Sequence, residues 1–189
     1  MTEQETIRIV TEKNALLTGH FILSSGLHSE QYLQCALVLQ HPDVNERCAK
    51  ALAERIGQEK IDLVVGPALG GVTLAYEVAR ALGVRGIFTE RQQGTMKLRR
   101  GFSIAKGERV LVCEDVVTTG GSTKEVMELI RSMGGVVVGV ASIIDRSDTD
   151  PRFGVPFTAL AKVKVKTYPA EECPLCRKGI PVTKPGSKA

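Results

Sequence analysis

Glu114 and Asp115 stand side by side in the run Val110-Leu-Val-Cys-Glu-Asp-Val-Val-Thr-Thr-Gly-Gly-Ser-Thr123. Adjacent carboxylates can accept hydrogen bonds from sugar hydroxyls or help hold a hard cation. Thr118, Thr119, Gly120, Gly121 and Ser122 follow at once. Glycines let the backbone come close to an anion and aim several N–H groups at it. A helical pattern begins at Ser122, and a helix start adds the positive end of a dipole. Together these residues describe a pocket for a sugar phosphate. The run lacks the Gly-Lys-Ser/Thr of a nucleoside-triphosphate loop and the Gly-x-Gly-x-x-Gly of a dinucleotide site, which excludes both readings.

Three further groups could serve such a ligand. Gly66-Pro-Ala-Leu-Gly-Gly71 is a second strand-to-helix glycine loop, with Gly70 and Gly71 able to cradle a pyrophosphate or simply to close a tight turn. Glu90 to Lys106 carries Arg91, Lys97, Arg99, Arg100 and Lys106, with Gly94 and Gly101 as flexible points. Such a segment is either a solvated loop or a lid over a polyanion; its length favours a mobile lid over residues 90–106. Arg146 follows an apolar run and could grip a carboxylate or imide edge with two N–H groups. His20, His28 and His41 are spread out, fit no metal-ligand spacing, and read as structural or exposed. Cys173-Pro-Leu-Cys176 is a lone C-x-x-C that could be half a zinc site or a redox pair. With no second C-x-x-C or neighbouring His to complete four ligands, the sequence favours free thiols.

The elements that must position these residues alternate. Thr2 to Leu17 reads as a helix with a Thr2/Glu5 capping box, and Phe21 to Leu39 as an antiparallel hairpin segment. Helices are expected over Asp43–Ile56, Val72–Leu82 and Ser122–Met133; strands over Asp62–Val65, Arg85–Thr89, Val110–Val112, Val136–Ile144 and Phe157–Val163. Alternating strand and helix imply an α/β fold with a parallel sheet. The glycine loops, the acids and Arg146 all fall at carboxyl ends of strands, where such sheets bind ligands. Residues 181–189 read as a loose tail.

At 189 residues the chain is read as one domain. A net charge of +4 is too small to imply nucleic-acid binding but suits polyanionic substrates. The longest apolar run, near Val136 to Ile144, is too short for a membrane span. With no secretory segment at its start, the chain is expected to be cytoplasmic.

The acid pair with Thr-Thr-Gly-Gly-Ser resembles the signature of the type I phosphoribosyltransferases. Gly19-His-Phe-Ile-Leu-Ser-Ser-Gly26 with Ser29 and Tyr32, the Gly66–Gly71 loop and Ile144-Asp-Arg146 extend the resemblance to the bacterial orotate phosphoribosyltransferase family, over nearly the full chain. The resemblance implies a small N-terminal hood over residues 1–40 on a phosphoribosyltransferase sheet flanked by helices. It implies orotate and 5-phosphoribosyl 1-pyrophosphate (PRPP) as substrates and Mg²⁺ as cofactor, held mainly by PRPP rather than by protein ligands. PRPP would meet Gly70, Gly71, Arg91 and Glu114, Asp115, Val116, Val117, Thr118, Thr119, Gly120, Gly121 and Ser122. Orotate would meet Ser24, Thr118 and Arg146. Lys97, Arg99, Arg100 and Asp115 would carry catalysis, and a homodimer would share its lids between sites. The family's lid carries a His that is missing here, and its usual hood Lys is replaced by Ser24. Transfer to another base, or a PRPP-sensing regulator, are the alternatives.

Overall fold

A computed structural model describes residues 1–23 and 25–185. The elements in chain order are α1 (Glu3–Glu12), β1 (Leu16–Ile22), β2 (His28–Leu33), α2 (Ala36–Leu39), α3 (Pro42–Ile56), β3 (Leu63–Pro67), α4 (Gly70–Leu82), β4 (Arg85–Gln92) and β5 (Thr95–Leu98). There follow β6 (Arg109–Val117), α5 (Gly121–Ser132), β7 (Val136–Asp145), β8 (Phe157–Lys162), β9 (Thr167–Tyr168) and α6 (Pro174–Arg177).

Six strands form the central sheet in the order β5-β4-β3-β6-β7-β8, parallel throughout except for β5. The β-branched runs make its middle because both faces are covered. Val64, Leu111 and Cys113 turn to the side packed by α1, α3 and α4. Leu63, Val65, Val110 and Val112 turn to the other, with Val126, Met127 and Ile130 of α5. The second sheet, β1-β2-β9, is the expected hood; its third strand comes from the far end of the chain.

The opening helix stops at Glu12, short of the expected Leu17, because Asn14 takes φ 52°, a left-handed conformation that Asn tolerates. Leu16 and Leu17 therefore belong to β1, opposite Leu33 and Tyr32. The Thr2/Glu5 capping box forms as read.

Residues 90–106 are more ordered than the loop the sequence suggested. Glu90 pairs with Lys97 and Arg91 with Met96 across an antiparallel hairpin whose two turn residues, Gln93 and Gly94, both have positive φ, the geometry of a two-residue β-hairpin turn. Buried Met96 and Ile104 anchor it to the sheet's core.

The loose tail expected from residue 181 is docked at Thr183. Thr183 exchanges backbone hydrogen bonds with the hood: its N–H donates to His20 O at 2.8 Å, and Ile22 N–H donates to its carbonyl at 2.9 Å. Residues 186–189 lie outside the described residues. With β9 paired to β2, this docking places His20 and His28 beside Cys173 and Cys176, so the C-x-x-C has two histidine neighbours that the spacing in sequence does not show.

Candidate active site

β6 carries the acids to the carboxyl edge of the sheet, and the loop after it turns straight into α5. Gly120 makes that turn with φ 75°. A Cβ there would also lie 2.7 Å from the Phe153 ring, so only glycine fits. At the next strand, a Cβ on Gly70 would lie 2.5 Å from Asp115 Oδ2. The two glycine loops, far apart in sequence, thus meet at the acid pair, because β3 and β6 are adjacent parallel strands. Gly71 turns inward against Cys113 O of β6 and lets α4 pack closely.

Two clefts open along this edge and share Ser25, Thr118 and Thr119. One, of about 210 Å³, is lined by Glu114, Val116, Val117 and residues 118–123. The other, of about 380 Å³, is lined by Leu23, Leu27, Lys124, Arg146 and residues 148–152, among others. Ser24, expected near orotate, lies outside the described residues, but its neighbours Leu23 and Ser25 border the second cleft.

Electrostatics separate the two halves. Among the described residues neither Glu114 nor Asp115 has an ion-pair partner; Val116 N–H donates to Asp115 Oδ1 at 2.9 Å, and the Glu114 carboxyl hydrogen-bonds to that of Asp115. Burial pushes the Glu114 carboxyl well above the usual carboxylate range, with the adjacent Asp115 charge adding to the shift. Burial raises Asp115 as well. Arg146 is half-buried, and its backbone N–H donates to Val117 O at 2.8 Å, which ties the strand ends together. Burial lowers its pKa, opposed by the nearby Tyr32 and Asp148. It remains a cation in any ordinary solution.

The acid pair sets a pH dependence. A carboxyl whose folded pKa is raised holds its proton longer in the folded chain. Stability should therefore fall as pH climbs from the ordinary carboxylate range through the raised folded values. Thermal unfolding across that window should show a shallower decline in Glu114→Gln than in the parent; parallel curves would contradict the assignment.

The basic segment is arranged differently from the sequence expectation. Lys97, Arg99 and Arg100 line neither cleft of their own chain. Glu90 holds Arg99 at 3.1 Å and Arg100 at 2.7 Å. Arg91 reaches Glu125 of α5 at 2.9 Å, and Glu125 borders the smaller cleft. Lys97 is exposed and has no ion-pair partner among the described residues. Sequence reading missed Lys124, which faces the larger cleft; its place in the first turn of α5, two residues beyond Ser122, was the available signal. It also missed Asp148 and Asp150, in a stretch of charged residues with no periodicity.

A phosphoribosyl transferase domain profile matches residues 36–153, which agrees with the class of fold and site just described. An orotate phosphoribosyltransferase of Caldanaerobacter subterraneus subsp. tengcongensis is 56% identical over 188 residues, spanning 100% of this chain and 99% of its own. One from Carboxydothermus hydrogenoformans is 56% identical over 183 residues, 96% of each chain. The crystal structure of orotate phosphoribosyltransferase from Aeropyrum pernix superposes with a TM-score of 0.70 at 27% identity, covering 82% of this chain and 92% of that one. The chain belongs to the phosphoribosyl transferases and, within them, to the orotate phosphoribosyltransferase family. None of the helices described is long and apolar enough to cross a membrane.

Proposed function

We propose that this protein transfers the phosphoribosyl group of PRPP to N1 of orotate, forming orotidine 5′-monophosphate and releasing pyrophosphate, in pyrimidine biosynthesis. The observation that carries the reading is the pair of clefts joined at Thr118 and Thr119, Glu114 and the phosphate loop on one side, Arg146 on the other, with Asp115 turned to Gly70 at the edge. The bond from C1 of the ribose to N1 forms as the bond from C1 to the pyrophosphate oxygen breaks. No protein nucleophile is required; positioning and electrostatics supply the catalysis.

Glu114 and Asp115 accept from the ribose hydroxyls. N–H groups from Val117 to Ser122, with the Thr119 and Ser122 hydroxyls, hold the 5′-phosphate. The Gly70–Gly71 turn approaches the pyrophosphate, and Thr118 with Arg146 holds the base. The Glu114 and Asp115 carboxyls offer hard oxygen atoms that would suit a nearby Mg²⁺ carried by PRPP. The chemistry such an ion would supply is neutralisation of charge on the departing pyrophosphate. Exposed ion pairs are weak, so Arg99 and Arg100 can leave Glu90 for a polyanion at small cost.

We assign residues 90–106 as a lid that serves the neighbouring subunit of a homodimer. Two features support this. Lys97 lines neither of its own clefts, and Tyr76, 65% exposed, borders an apolar groove with Phe88 and Phe102, a surface suited to a second copy. A cytoplasmic setting fits the free thiols of Cys35, Cys48 and Cys113.

The test is loss of orotate absorbance on adding PRPP and Mg²⁺, run beside a panel of other bases; turnover of another base in preference to orotate would overturn the reading. Arg146→Ala should raise the KM for orotate at least tenfold and that for PRPP much less, since truncating a bidentate charged contact costs about 1.5–3 kcal/mol. A change confined to PRPP would place Arg146 in the other subsite.

A further inference from the structure

The hood and the C-terminal segment meet at four side chains that the transferase chemistry does not use. His20 near the end of β1 and His28 at the start of β2 flank the hairpin turn; Cys173 and Cys176 bracket the start of α6. His20, His28 and Cys173 are buried, and Cys176 is at the surface. One ligand atom from each lies within 4.8 Å of all the others. His20 Nε2 is 2.9 Å from His28 Nδ1, 3.5 Å from Cys173 Sγ and 3.7 Å from Cys176 Sγ. Cys176 Sγ is 3.3 Å from His28 Nδ1.

We propose that His20, His28, Cys173 and Cys176 bind one Zn²⁺ ion in a tetrahedral site that clamps the hood to the C-terminal segment. Zinc lies about 2.0–2.1 Å from imidazole nitrogen and about 2.3 Å from thiolate sulfur. A tetrahedron with those arms has edges of roughly 3.3–3.8 Å, against 2.9–3.7 Å for the four pairs above and no more than 4.8 Å for the other two. His20 Nδ1 is 2.7 Å from Ile180 O. A carbonyl only accepts, so Nδ1 carries the proton and Nε2 is left with its lone pair toward the cluster, the outer-shell arrangement common to zinc-bound histidines. Two cysteines three residues apart at a helix start are a usual half of such sites; the hairpin supplies the other half. A hydrogen bond between the histidines accounts for their 2.9 Å approach alone and leaves the convergence of both sulfurs unexplained.

The site has a consequence that rests on the proposed transferase reading. The turn between the two histidines supplies Leu23, Ser25 and Leu27 to the larger cleft. Fixing both ends of that turn orders the wall on which the base is placed.

Metal analysis of tag-free protein, purified without chelators, should give one zinc per chain. Cys176→Ser, at the exposed ligand, and His28→Ala should each lower zinc content at least tenfold, while Cys48→Ala retains it. Because the six-stranded sheet is built without these residues, circular dichroism should stay close to the parent's. Cobalt in place of zinc should give the strong visible absorption of a tetrahedral ion and a thiolate charge-transfer band, both lost in Cys176→Ser even if that variant is less stable. The proposal is overturned if reduced protein dialysed against zinc and freed of excess keeps less than a tenth of an equivalent. It is also overturned if Cys176→Ser binds zinc as the parent does. If zinc binds but transferase activity is absent, the metal site stands and the transferase reading fails.

Discussion

Asp115→Asn should lower kcat/KM for PRPP by about tenfold to a hundredfold while leaving the protein at least as stable as the parent. One charge-assisted hydrogen bond is worth about 1.5–3 kcal/mol, and each 1.4 kcal/mol is a factor of about ten. The asparagine keeps an oxygen for Val116 N–H but cannot place a second negative charge against Glu114. The two readouts therefore separate: activity falls as substrate contacts are lost, and unfolding temperature holds or rises as charge repulsion is relieved. Steady-state kinetics and calorimetry on the same preparation decide it. A loss of activity matched by a loss of stability would mark Asp115 as structural, and unchanged kinetics would remove it from the site.

Lys97→Ala should reduce kcat by roughly a hundredfold or more with little change in substrate affinity. Its contact strengthens only as charge grows on the leaving pyrophosphate, the signature of an interaction made in the transition state. If the hairpin reaches into a neighbour, Lys97→Ala and Asp115→Asn chains, each at about a tenth of parental activity or less alone, should complement one another. Random mixing makes about half the dimers hybrid, and each hybrid has one intact site of two, so about a quarter of parental activity should return. Hybrids proven by mass spectrometry that stay inactive would mean that each hairpin serves its own subunit.

How much of this was legible in the sequence depended on whether the deciding residues were contiguous. The acid pair, its Thr/Gly loop and the start of α5 occupy one short stretch, so their chemistry and their strand-end position could be read together. Arg146 was legible because an apolar run pointed to a strand and fixed where that strand ends. The hairpin of residues 90–98 was not, because its polar pattern hid the period-two alternation; only Met96 on β5 is buried. Glu90 gave no local sign that it would hold Arg99 and Arg100. The His20, His28, Cys173, Cys176 cluster was least legible of all. Its halves are separated by most of the chain, and the pairing of Thr167–Tyr168 with β2 and the docking of Thr183 on β1 bring them together.

That same long closure orders the protein's synthesis. β1 and β2 leave the ribosome well over a hundred residues before Thr167–Tyr168, the strand that completes their sheet. The central sheet, whose parallel strands from Leu63 to Lys162 are joined largely by local crossovers, can fold before the chain ends. The hood hairpin must wait, with the edge of His28–Leu33 open, until Thr167 and Tyr168 emerge and the loop-closure entropy is met. A nascent chain arrested or cleaved before Thr167 should therefore hold a formed phosphate loop beneath an unfinished roof. Antibodies or proteases directed at β2 would distinguish such chains from complete ones.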